Sequence, residues 1–99
     1  MSLTFEIVDD GKTKSLSYDG TITIEAFIRD YLSKNTNLVS LSTSDYTFSF
    51  GSKILNTPRF LSKKLNEIIQ TGSSLTLVRK HDLHYSNTIK YNSENALDL

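Results

Sequence analysis

The chain has 99 residues, enough for one small domain with a single modest core. It carries 11 Lys+Arg and 11 Asp+Glu, and this zero formal charge argues against a sequence-independent nucleic-acid binder. It contains no cysteine, which excludes disulfide scaffolds, cysteine-based zinc sites and thiol catalysis.

Leu3, Phe5 and Ile7 alternate with Thr4 and Glu6, the period-two pattern of a half-buried strand. Asp9-Asp10-Gly11-Lys12 follows, and Asp-Gly between alternating runs predicts a hairpin. The partner strand is Lys14–Tyr18, with Leu16 and Tyr18 on one face and Asp19-Gly20 ending it. Thr23 then serves as an N-cap, and Glu25 places a carboxylate in the first turn of a helix. Ile24, Phe27, Ile28, Tyr31 and Leu32 complete an amphipathic stripe before Lys34-Asn35 closes it. Residues 35–44 form a long polar loop, interrupted by Leu38, Val39 and Leu41.

Tyr46, Phe48 and Phe50 alternate with Thr47 and Ser49, predicting a third strand with three aromatics on one face. Such a row also suits base stacking on a single-strand-binding sheet, but its parity places it in the core. Gly51-Ser52 turns into a short fourth strand, Lys53-Ile54-Leu55, and Asn56-Thr57-Pro58 breaks it. Phe60–Ile69 reads as one short helix, with Leu61, Leu65, Ile68 and Ile69 at helical spacing. Gly72 turns the chain into a last strand, Ser74–Val78. The expected core is Leu3, Phe5, Ile7, Leu16, Tyr18, Ile24, Phe27, Tyr31, Phe48, Phe50, Leu55, Leu65, Ile69, Leu75 and Leu77.

Residues 1–80 therefore form the domain, and the polar residues 81–99 read as a linker or tail. Charge divides along the chain. Residues 1–45 hold four basic and seven acidic side chains, a net of −3. Residues 46–80 hold Lys53, Arg59, Lys63, Lys64, Arg79 and Lys80 against Glu67 alone, a net of +5. They suit either an ordinary solvated surface or a face for an acidic partner or an anionic membrane.

Nothing in the sequence assembles a catalytic constellation or a cofactor site. His81 and His84 have metal-ligand spacing but lie in the polar tail with no completing ligands, so they read as solvated linker residues. Asp9 and Asp10 flank a turn glycine, where aspartate is expected for turn reasons. No apolar run approaches the roughly 18–20 residues of a membrane span, and no glycosylation sequon occurs. A cytoplasmic protein is expected.

The order β-β-α-β-β-(short helix)-β, an α+β arrangement over residues 3–80, resembles the ubiquitin-like β-grasp with its mixed five-stranded sheet. Gly11-Lys12-Thr13 is similar to ubiquitin's first turn, and Thr23-Ile24-Glu25 to the start of its helix. Phe48–Leu55 and Ser74–Val78 resemble its third-to-fourth and fifth strands. A conjugated modifier ends in a Gly-Gly pair, whereas the glycines here are isolated and the matching region reads Leu83-His84. The ubiquitin recognition patch is also altered: Ser49 replaces its isoleucine, Thr76 its histidine, and only Val78 is kept.

Phe60–Leu77 further resembles the last third of the N-terminal GTPase-binding domains of ELMO scaffolds and FHOD-type formins. That resemblance implies a non-catalytic domain that binds a Rho-family small GTPase in an actin regulator at the cytoskeleton or cell cortex. It also implies that an armadillo-type domain follows in the parent protein. The alternatives are a ubiquitin-like domain docking proteasomal or quality-control partners, and a basic membrane-targeting module. Two basic trios are candidate partner surfaces. Lys12, Lys14 and Arg29 suit pairing of the second strand with a GTPase strand, while Lys53, Arg79 and Lys80 suit a sheet-face contact. The first trio equally suits a merely soluble edge guarded by lysine against aggregation.

Overall fold

The computed structural model describes residues 2–80. The expected tail 81–99, with His81 and His84, lies outside them. Strand β1 (Ser2–Asp9) pairs antiparallel with β2 (Lys12–Asp19), Leu3 opposite Tyr18 and Asp9 opposite Lys12. Asp10 (φ 55°) and Gly11 (φ 77°) both adopt the left-handed conformation that a tight two-residue hairpin turn requires. Aspartate tolerates that conformation, and glycine adopts it without steric cost. Gly11→Ala should therefore lower stability by about 1 kcal/mol, read as a shift in the urea midpoint at constant slope.

Helix α1 (Ile24–Asn35) starts where Thr23 accepts a hydrogen bond from the Ala26 amide at 3.1 Å. It buries the expected stripe of Ile24, Phe27, Ile28, Tyr31 and Leu32. Strands β3 (Tyr46–Phe50), β4 (Lys53–Ile54) and β5 (Ser74–Arg79) complete the sheet in the order β2-β1-β5-β3-β4. Among the described strands only β1 and β5 run parallel, which places the first and last of them side by side at the centre. Among the described residues, both outer strands, β2 and β4, leave one edge unpaired.

The core lies between α1 and the sheet, and the predicted residues fill it with three exceptions. Leu16, Tyr18 and Phe50 pack against it only half-buried, because β2 and the end of β3 lie at the sheet's margin. Ile28 and Leu32 of the α1 stripe, Tyr46 and Phe60 are buried in addition.

The single helix expected over residues 60–69 is instead two short turns, α2 (Pro58–Leu61) and α3 (Leu65–Ile68). The backbone between them is needed elsewhere. The Ile24 amide donates to the Lys63 carbonyl, the Leu65 amide to the Ile22 carbonyl, and the Asn66 amide to the Gly20 carbonyl, all at 2.8–2.9 Å. Lys64 is accordingly extended (ψ 149°), so this segment straps down the start of α1 instead of continuing a helix.

Asn56, read from sequence as part of a loop breaker, is buried and makes three hydrogen bonds. It accepts from the Phe48 amide and donates to the Tyr46 and Leu41 carbonyls, fastening the 36–45 loop to β3. Tyr46 hydroxyl adds a 2.8 Å bond to the Leu38 carbonyl.

Candidate functional site

The parallel pairing of β1 with β5 brings the ends of both strands beneath the C-terminal turn of α1. Asp9 ends β1 at 2% exposure, and Arg79 ends β5. The guanidinium grips the Asp9 carboxylate with two 2.7 Å bonds, Nε to Oδ1 and Nη2 to Oδ2. Nη2 also donates to the Asn35 carbonyl at 3.1 Å, satisfying a helix-end acceptor. The Tyr31 hydroxyl donates to the same carboxylate, and Lys14 stands 3.7 Å from it while donating to Asn35 Oδ1.

Burial raises the Asp9 carboxyl, but hydrogen bonds from Arg79 and Tyr31 and the charges of Arg79 and Lys14 outweigh it. Asp9 is therefore held below the ordinary carboxylate range. Burial and the bond to Asp9 together push the Tyr31 hydroxyl well above its usual range. Asp9 is thus no turn residue, as the sequence had implied. It is the anchor of a buried ionic cluster, and only Asp10 and Gly11 make the turn.

That cluster reshapes both basic trios. Arg79 is largely buried and engaged by Asp9, Lys14 is half-exposed beside the same carboxylate, and Arg29 forms a surface ion pair with Glu25 one turn earlier at 3.0 Å. Lys12, Lys53 and Lys80 are exposed, and none has an ion pair among the described residues. Charge reversal at Lys14 or Arg79 would disturb the fold directly, so neither can serve as an innocent surface probe. Lys12 at the β2 edge remains the cleanest probe of the first trio. Lys53, whose ammonium lies 6.0 Å from the Phe50 ring centroid, belongs to the opposite edge at β4.

The outward face of the sheet is lined with hydroxyls. Ser49 pairs with Thr76, and Thr76 with Val8, so the altered patch positions do meet on one surface. Val78 is 40% exposed there, and Val8 is half-buried beside Thr76. Among the described residues no group of three or more His, Asp or Glu side chains converges to hold a metal.

No protein-family model matches the chain, and no curated protein does. Solved structures do. A ubiquitin-like domain from Arabidopsis thaliana superposes with a TM-score of 0.60 at 16% identity, over 80% of this chain and 78% of that one. The ubiquitin of Caldiarchaeum subterraneum gives 0.59 at 13% identity, over 80% of this chain and 94% of that one. The UBL domain of yeast Ddi1 gives 0.59 at 16% identity, with 80% and 90% covered. The fold is the ubiquitin-like β-grasp. At these identities the likeness establishes the fold alone, since one fold hosts many functions. Within this β-grasp, the outward face carries Ser49 and Thr76 where the resemblance placed ubiquitin's isoleucine and histidine.

Proposed function

We propose that this ubiquitin-like domain is a non-catalytic interaction module that adds a partner's strand to β2, the partner being a Rho-family small GTPase. The observation that carries this reading is β2 itself: eight residues of regular strand at the sheet's edge, with one row of backbone groups left unpaired by the sheet among the described residues. Strand addition draws affinity from such main-chain groups. Thr13, Ser15 and Ser17 keep the strand's outward side polar and exposed, and Lys12 offers a cation free of ion pairing among the described residues. The choice of a GTPase rests on the resemblance of Phe60–Leu77 to ELMO and FHOD-type domains, and on the acidic character of switch regions.

An amide-resolved NMR titration with GTP-loaded and GDP-loaded Rho and Rac tests this directly. Shifts should follow β2, and Lys12→Glu should weaken binding several-fold at low salt with the difference shrinking as salt is added. Shifts confined to other elements, or no binding to any of these GTPases, would refute the reading.

One observation favours a second reading, a quality-control docking domain. Val8 and Val78 leave a small apolar feature on the outward sheet face. Titration with proteasomal ubiquitin receptors would then shift Val8, Ser49, Thr76 and Val78 instead of β2.

A further inference from the structure

At the opposite edge of the sheet, β4 and α2 enclose a groove of about 410 Å³ lined by Ser52, Lys53, Ile54, Thr57, Arg59 and Phe60. No acidic residue lines it, and neither Lys53 nor Arg59 has an ion pair among the described residues. Each cation lies over an aromatic ring instead. The Arg59 guanidinium carbon lies 5.5 Å from the Phe60 ring centroid, and Lys53 Nζ lies 6.0 Å from that of Phe50. A guanidinium over a ring keeps the N–H fork at its rim available for a bidentate carboxylate. Half-buried Ile54 and the largely buried Phe60 line the same groove and supply its apolar surface.

We propose that this groove binds an acidic peptide segment of a partner protein, with an apolar side chain lying between two carboxylates. Arg59 takes one carboxylate in a forked contact, Lys53 takes the other, and the apolar residue covers Ile54 and Phe60. Three features point to a peptide. The site is concave, its positive charge is uncompensated among the described residues, and its lining combines two cations with apolar surface from Ile54 and Phe60. A membrane contact instead gathers roughly 4–8 basic residues over a broad surface, with no need of an apolar floor between two of them. Holding each cation over a ring reduces the side-chain freedom lost on binding. The site is remote from β2 in the sheet order, so it is independent of strand addition there.

The test uses the 99-residue chain and a fluorescein-labelled peptide with the core Asp-Glu-Leu-Glu-Asp, against a control with Asn and Gln at the acidic positions. Fluorescence polarisation should show binding of the acidic peptide alone, weakening at least tenfold between 20 and 300 mM salt, a range chosen to shorten the screening length severalfold. Amide shifts should centre on Ser52, Ile54, Thr57 and Phe60. The Lys53→Glu/Arg59→Glu double variant should lose at least tenfold in affinity, and Lys53→Gln/Arg59→Gln should lose less. Both residues are exposed, and an unchanged melting temperature would establish that the fold is intact. Equal binding of the neutral peptide, shifts elsewhere, or an unaltered affinity of the reversed variant would overturn the proposal. So would an absence of peptide binding together with binding to vesicles containing phosphatidylserine, which would make the groove part of a membrane surface.

Discussion

Phe27→Ala should destabilise the domain by about 3–5 kcal/mol, a large share of what a domain of this size possesses. Phe27 is fully buried on the inner face of α1 and touches four other rings. Tyr18 and Phe5 meet it edge-to-face at centroid distances of 4.9 and 5.6 Å, and Phe48 at 6.2 Å. Tyr31 lies at 6.5 Å on the same helix. These rings come from β1, β2, β3 and α1, so one truncation opens a cavity where four elements converge. The surrounding strands are fixed by their hydrogen-bond register and cannot collapse into the space, which keeps the cavity penalty high. Phe27→Leu retains most of the volume and should cost clearly less. Urea denaturation followed by circular dichroism measures both; an unchanged midpoint for Phe27→Ala would show that α1 does not hold the sheet through this residue.

The parts of this structure governed by local periodicity were legible in the sequence. Alternation in Leu3–Ile7 and Tyr46–Phe50, the α1 stripe and the Asp-Gly turn each depend on residues a few positions apart. What escaped was decided by contacts between distant segments. The apolar spacing of Leu61, Leu65, Ile68 and Ile69 suits a helix, yet residues 63–66 give their backbone groups to residues 20–24. Spacing alone carries no trace of that competition. Asn56 likewise looks like a turn residue until β3 and the 36–45 loop supply its three partners.

The candidate surfaces were legible only as charges. Counting six basic side chains in residues 46–80 predicts a positive face, but the count cannot say which are already engaged. Arg79 and Lys14 belong to an internal cluster and Arg29 to a helix-surface pair, while Lys53 and Arg59 come together at one groove. An arginine after an alternating strand and an aspartate before a turn were the available signals for the internal pair. Nothing local joins residues separated by 70 positions.

Asp9→Ala should cost about 3–5 kcal/mol, the range for breaking a buried ion pair by removing one partner. The loss would leave the Arg79 guanidinium, 18% exposed, without its two carboxylate bonds and the Tyr31 hydroxyl without its acceptor. Asp9→Ala/Arg79→Met removes charge from both sides and should recover much of the loss, because neither partner is then left buried and unpaired. Melting curves of the two single variants and the double variant give the coupling directly; a double variant as unstable as the summed singles would deny the pair its energetic link.

The same cluster sets a pH window with a definite sign. Asp9 has a folded-state pKa below its unfolded value of about 4, so its contribution is present above that pH and is lost as pH falls through the folded value. Tyr31 is raised above its unfolded value of about 10, so its contribution is complete below that pH and is lost as pH rises toward the folded value. Stability should therefore be level across neutral pH and decline at both extremes. Asp9→Asn should flatten the acid limb relative to the parent, since the titrating carboxylate is gone. Asp19 and Asp30 are also lowered, by hydrogen bonds from Thr21 and Tyr18 respectively, so some acid sensitivity should survive in that variant. An acid limb as steep in Asp9→Asn as in the parent would locate the pH dependence outside the Asp9–Arg79 cluster.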